Sequence, residues 1–162
     1  MTTLSLDAVT FVSRDPNWVF RELHDPKTLL GCVPGATLTR LTGPGSFQAR
    51  IAIGLGPFKA QYEGTGRIVA SNPMTRTASL ELTGDPSPNL AAALRVRMAM
   101  SIAVRTGGSE IRMTFDVAMS DRTGMLANGW LDPLACDLLD RTTRRLKQQL
   151  EEAPSMPFPP AA

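Results

Sequence analysis

Leu23-His24-Asp25-Pro26-Lys27-Thr28-Leu29-Leu30-Gly31-Cys32-Val33-Pro34-Gly35-Ala36 is the stretch on which the fold turns. Pro34 cannot donate a backbone hydrogen bond, and Gly35 reaches backbone angles closed to other residues. Together they fix a sharp exit from a short helix into a strand. That helix starts at Asp25-Pro26, since proline fits a first helical turn and aspartate accepts an orphan amide. Asp15-Pro16 repeats the signal ten residues earlier and opens another short helix, with Trp18, Val19 and Leu23 on one side. Before it, Leu4 to Val12 has the composition of a strand.

Downstream of Ala36 the apolar period becomes two. Phe47, Ala49, Ile51, Ile53 and Leu55 alternate with Gln48, Arg50, Ala52 and Gly54. Gly56-Pro57 turns the chain, and Phe58, Ala60 and Tyr62 resume the apolar side. Asn72-Pro73 separates that strand from one near Arg76 to Thr83, and Gly84 to Asn89 reads as a loop. The clearest alternation puts Leu94, Val96, Met98, Met100, Ile102 and Val104 on one face; after Gly107-Gly108 it continues with Ile111, Met113, Phe115, Val117 and Met119. Alternation sustained this long requires an antiparallel sheet with one wet and one buried face. From about Leu126 to Glu152 the period returns to 3.6, with Leu131, Leu134, Ala135, Leu138, Leu139, Leu146 and Leu150 as the apolar stripe. Asp132-Pro133 marks the start of this helix or a kink in it. An apolar sheet face and an apolar helix stripe of similar length must cover each other. The reading is α+β: a curved antiparallel sheet of about seven strands around a long C-terminal helix, with two short helices after the first strand. One domain is expected over residues 1–152. The remainder, 153–162, is expected to be a disordered proline-rich tail.

The 17 basic and 15 acidic residues leave a net charge of +2, too balanced for a nucleic-acid footprint. Cys32 and Cys136 match no zinc or redox spacing and are expected as free thiols in a reducing compartment. One histidine and two scattered cysteines supply no metal set, and no carboxylate cluster does either. Gly54-Leu55-Gly56-Pro57 precedes no helix, so it is no phosphate loop. The N-terminus carries no signal-peptide pattern, and no apolar run is long enough for a membrane helix. The expected location is cytoplasmic.

The order of elements is that of the helix-grip fold shared by START-like and Bet v 1-like (SRPBCC) proteins. Within it, Trp18, Asp25-Pro26, Cys32-Val33-Pro34-Gly35, Gly56-Pro57 with Tyr62-Glu63-Gly64, and Gly124-Met125-Leu126-Ala127 resemble the running pattern of the carbon monoxide dehydrogenase CoxG family. The likeness runs from about Leu4 to Leu150. Thr142-Thr143-Arg144-Arg145 departs from the bulky aromatics usual at the end of that family's last helix. The resemblance implies a non-catalytic accessory protein of a molybdenum hydroxylase, partnering its subunits or maturation factors. It also implies an apolar ligand, a quinone or lipid, held without a covalent bond. Many relatives carry a membrane-attachment tail where this chain has its short proline-rich end, so membrane contact is expected to be peripheral at most, at the inner face.

The residues expected to line the ligand cavity are Ile53, Tyr62, Met98, Met100, Met113, Phe115, Trp130, Leu131 and Leu138. Methionine suits a guest of variable shape, though it also fills irregular cores. Tyr62 brings a hydroxyl to an apolar side, where it needs a protein, water or ligand partner. Trp130 serves equally as a packing anchor. His24, the single histidine, sits beside Asp25 at a helix end, and sequence alone sets no serine or cysteine next to it. Cys32, also at a helix C-terminus, reads as a packed residue rather than a nucleophile. Arg50, Arg67, Arg95, Arg97 and Arg112 on the wet strand faces read as cross-strand partners of Glu63 and Asp116. Arg141, Arg144, Arg145 and Lys147 read as the wet side of the long helix rather than as a membrane-binding face. Two other functions stay open: a cyclase or hydrolase of the same fold, which needs an inward acid or base, and an assembly subunit with a filled core.

Overall fold

The computed structural model describes residues 2–55, 58–86, 94–119 and 131–153, with the backbone alone at 2, 53–55, 58–60, 85–86, 119 and 131–134. The chain runs β1 (Thr2–Val12), α1 (Pro16–Glu22), α2 (Pro26–Cys32), β2 (Ala36–Gly43), β3 (Ser46–Leu55), β4 (Phe58–Asn72), β5 (Thr77–Pro86), β6 (Leu94–Arg105), β7 (Gly108–Met119) and α3 (Leu131–Glu152). The strands form one antiparallel sheet in the order β1-β7-β6-β5-β4-β3-β2. The long helix begins at Leu131, with Asp132-Pro133 in its first turn, where a missing amide costs nothing.

Both short helices are started by the aspartates that precede their prolines. The Asp15 carboxylate accepts from the amides of Asn17 and Trp18, each at 3.1 Å, and Asp25 accepts from that of Lys27 at 3.0 Å. After α2, Gly35 takes a φ of +79°, and a side chain there would run into the carbonyl oxygen of Ala52. The Gly35 carbonyl in turn accepts from the Ala52 amide at 2.9 Å, which seats the turn on β3.

Register assigns the faces. On the inner face Val12, Met100, Ile102, Ile111 and Met113 meet Val19, Phe20 and Leu23 of α1, Cys32 of α2, and Leu146 and Leu150 of α3. This cluster closes one end of the domain. A second cluster, Leu30, Phe47, Ala49, Leu80 and Met98, lies beneath α2. Val104, placed on the apolar side by its parity, is 59% exposed because it stands at the strand's end, beyond the cluster.

The outer face carries a charge ladder across the strands. Arg67 and Arg97 share Glu81 at 3.8 and 3.1 Å, and Asp116, opposite Arg97, accepts from the Ser5 hydroxyl at 2.7 Å. Arg50 pairs with Glu63 at 3.0 Å. Arg112 and Arg105 converge on Glu110 and hold its carboxyl below the usual carboxylate range. Arg50–Glu63 is the cross-strand pair expected from the sequence, whereas Asp116 takes a serine; Glu81 and Glu110 take two arginines each, Arg112 reaching Glu110 along its own strand. On α3, Asp137–Arg141 and Asp140–Arg144 are i,i+4 pairs on the wet side.

Arg14 joins the two ends of the chain. Its guanidinium donates to the carbonyls of Leu150 at 3.0 Å and Glu151 at 2.6 Å in the last turn of α3, and to that of Ala153 at 2.8 Å just past it. Its own carbonyl accepts from the buried Ser109 hydroxyl at 2.6 Å, and the Trp18 ring lies 5.6 Å from the guanidinium carbon. Hydrogen bonds from a charged donor each contribute about 1.5–3 kcal/mol, less where water can replace them. Arg14→Ala is expected to cost about 2 kcal/mol and to lower the melting temperature by about 4–8 °C, read by calorimetry. Gly35→Ala is expected to cost at least as much, because the left-handed angle and the Ala52 carbonyl both oppose a Cβ.

Candidate functional site

Burial along α3 is graded. Leu150 and Leu146 are sealed, whereas Thr143, Thr142, Leu139, Leu138 and Ala135 are half-buried. The sheet grades the same way: Ile111 and Met113 are buried, while Leu6, Leu82, Val96, Phe115 and Val117 are half-buried. These last residues occupy neighbouring register positions, Leu6↔Phe115 and Leu82↔Val96↔Val117. The inner face is thus closed at the α1 end and half-open toward the strand ends at Leu94, Met119 and Thr2.

The half-open part is apolar on both sides. Thr142 and Thr143 would be its polar groups on α3, but their hydroxyls donate back to the carbonyls of Leu138 and Leu139 at 2.7 and 2.8 Å. Among the described residues, no acid or base faces inward there. Tyr62 brings a phenol to the inner face while only 3% exposed, and burial pushes its pKa up. Gly64, Gly66 and Gly84 lie nearby in the strands. At Gly66 the Phe47 ring and Leu82 Cδ2 occupy the space a Cβ would take, so glycine lets the ring lie flat on the sheet.

The residues expected to line a cavity separate into groups. Met100 and Met113 belong to the closed cluster with Leu146 and Leu150. Met98 packs beneath α2, and Phe115 borders both clusters. Leu138 stands half-buried on α3, facing the half-open part. Ile53 lies in β3 and Leu131 opens α3, both as backbone only, and Trp130 lies outside the described residues. Leu6, Leu82, Val96 and Val117 were not singled out from the sequence. Alternation alone gives them the right face, but only the position of α3 tells half-buried from sealed. A separate trough of about 380 Å³ indents the outer face, lined by Thr42, Ser46, Thr65, Arg67, Glu81 and Thr83 among others.

The family model for the CoxG component of carbon monoxide dehydrogenase matches residues 10–151. The chain belongs to the CoxG family. No curated protein sequence matches it. Its fold is similar to that of a conserved protein from Geobacillus kaustophilus at 16% identity, with a TM-score of 0.75 over 91% of this chain and 95% of that one. It is similar to the Zhui aromatase/cyclase from Streptomyces sp. R1128 at 10% identity, TM-score 0.66, covering 93% and 94%. It is also similar to Ara h 8.0201 at 13% identity, TM-score 0.54, covering 92% and 98%. At these identities the likenesses establish the helix-grip fold alone. Among the described residues no helix is long and apolar enough to cross a membrane, and no group of metal ligands occurs.

In this CoxG protein both cysteines are free thiols, Cys32 buried and Cys136 exposed. The Cys32 thiol bonds the Thr28 carbonyl at 3.1 Å and Gln149 Oε1 at 3.2 Å, joining α2 to α3. Burial pushes its pKa to about 11, with Arg145 pulling weakly the other way. A disulfide reagent at pH 8 is expected to titrate one thiol in the folded protein and two in denaturant. Folded Cys32 keeps its proton while the unfolded thiol loses it above 9.0, so its contribution to stability is full below pH 9 and declines as pH rises toward 11. Alkaline denaturation of Cys32→Ser, compared with the parent, measures that contribution.

Proposed function

We propose that this chain is an accessory protein of a molybdenum hydroxylase system of the carbon monoxide dehydrogenase type, and that it carries an apolar ligand on which it performs no catalysis. The observation behind this reading is the half-buried apolar part of the inner face, Leu6, Leu82, Val96, Phe115 and Val117, together with half-buried Leu138 and Leu139 on α3, with no inward acid or base among the described residues there. An exposed apolar strip inside a concave sheet gains about 25 cal/mol for each Å² that a guest covers. Pockets of this kind hold mostly apolar ligands, with a few polar groups setting orientation. Tyr62 is the polar contact proposed for a quinone carbonyl or a lipid headgroup, with Met98, Phe115 and Leu138 on the apolar part. Ile53, Trp130 and Leu131 are proposed for the same lining from their sequence positions, and Met100 and Met113 as its floor.

The absence of inward acids and bases among the described residues weighs against a cyclase or hydrolase acting inside the grip, since such chemistry needs a proton carrier within reach of the substrate. The partners proposed are the hydroxylase subunits or their maturation factors, on the strength of the family, in the cytoplasm with at most peripheral membrane contact. One observation favours an assembly subunit instead: Met100 and Met113 are sealed in the core and fill it.

Protein expressed in a quinone-producing host is expected to yield a prenylated quinone or lipid at near-stoichiometric amount on organic extraction and mass spectrometry. Val96→Trp and Leu138→Trp are expected to lower that amount at least about tenfold with little change in melting temperature, because both positions are half-buried and have room to turn outward. A ligand retained in both folded variants, or no ligand together with no binding of added quinone, would overturn the carrier reading.

A further inference from the structure

His24 has both ring nitrogens engaged. Nδ1 lies 2.7 Å from the Phe20 carbonyl oxygen, and Nε2 lies 2.8 Å from Ser71 Oγ. A carbonyl oxygen only accepts, so Nδ1 carries the ring proton. In the neutral ring Nε2 then holds the lone pair, and the Ser71 hydroxyl donates to it. The Phe20 ring, 4.2 Å from the imidazole between centroids and tilted by 56°, fixes the orientation from the side.

Ser71 reaches the histidine because β4 changes phase. Up to Ile68 the odd-numbered residues of β4 face outward with Arg67 and Glu81. The bulge between Ile68 and Ala70 pairs Ser71 with Ala78, which pairs in turn with the buried Met100. Ser71 thereby comes to the helix side of the sheet, beside the end of α1, while staying exposed to solvent. Bulges re-aim side chains in this way next to functional sites. The turn that follows is braced: Asn72 Oδ1 accepts from the Met74 amide at 3.0 Å, and Arg76 bonds Asn17 of α1 and the Ile102 carbonyl.

We propose that Ser71 and His24 form a nucleophile–base dyad that accepts acyl groups from small activated esters, at the closed end of the domain and apart from the apolar face. A nucleophile within hydrogen-bond reach of a base that a third group orients is the arrangement such chemistry requires. Ser71 Oγ forms a bond to the ester carbonyl carbon as its proton passes to His24 Nε2. The tetrahedral adduct then expels the alkoxide, which takes that proton from His24. Water attacks the acyl-serine next, giving its proton to the same nitrogen, and the acid departs as Oγ recovers the proton. The orienting group is a neutral carbonyl and not a carboxylate, so it sets the tautomer but stabilises imidazolium less. Acylation is therefore slow.

The test is to incubate the full chain with diisopropyl fluorophosphate at pH 8, following intact mass and mapping the modified peptide. Attack by Oγ on phosphorus releases fluoride, the proton again passing to His24. The expected result is one adduct per chain on Ser71, absent from Ser71→Ala, whose exposed hydroxyl is not needed for folding. His24→Gln, verified as folded by circular dichroism, is expected to react at least about tenfold more slowly, general-base assistance being worth about 10²–10⁴. No adduct after a day, an adduct on another residue, or an unchanged rate in folded His24→Gln would each overturn the dyad. If His24→Gln does not fold, the comparison of the parent with Ser71→Ala decides.

Discussion

Everything at the closed end depends on how α3 is fastened. An α-helix leaves its last carbonyls without intrahelical donors, and burying that end unpaired would be costly. Arg14, at the turn between β1 and α1, satisfies two of them and the carbonyl of Ala153 just beyond. Glu151 Oε1 accepts from the Ser13 amide at 2.7 Å, and Lys147 donates to the Phe11 carbonyl on the free edge of β1. These contacts fix the axial position of α3, so that Leu146 and Leu150 drop between Val12, Val19 and Ile111. With one end pinned, a helix of 22 residues, about 33 Å long, sets how far its other half stands from the sheet.

That geometry divides one apolar surface into two uses. The sealed clusters supply stability, each fully buried Leu, Ile or Val contributing about 1.5–3 kcal/mol relative to exposure. The half-buried strip contributes less to folding and is what a guest would cover. The two are continuous along the same strands, so Met100 and Val96 differ in role by position under α3, not by chemistry. The Ser71–His24 pair stands apart from both, because a bulge rather than the regular pleat decides which way Ser71 faces.

Most of the architecture was legible in the residues. Period-two alternation located the strands, Asp15-Pro16 and Asp25-Pro26 located the short helices, and Pro34-Gly35 located the entry into β2. These are local signals, readable from a few neighbouring residues. What was not legible is non-local. Nothing near Arg14 in sequence announces the carbonyls of residues 150–153, and strand parity alone assigns Ser71 to the wrong face. Likewise Glu81 bridges Arg67 and Arg97 because of register across three strands. Alternation puts Met113 and Phe115 on one face alike, and only their burial separates the sealed residue from the half-buried one.

The pairing of β1 with β7, Thr2 opposite Met119, has a kinetic consequence. Strands β2 to β7 form a meander in which each hairpin closes over a short stretch of chain. The first strand has no such neighbour: it pairs with β7 and packs on the end of α3, both far along the chain, and α1 likewise packs on β6, β7 and α3, whereas α2 finds β2 and β3 close at hand. Closing that loop has to be paid for in chain entropy before its contacts reward it. Val19 and Leu23 are covered by Leu146 and Leu150, which follow them by more than a hundred residues. The apolar side of α1 therefore stays uncovered until α3 has been made and has docked.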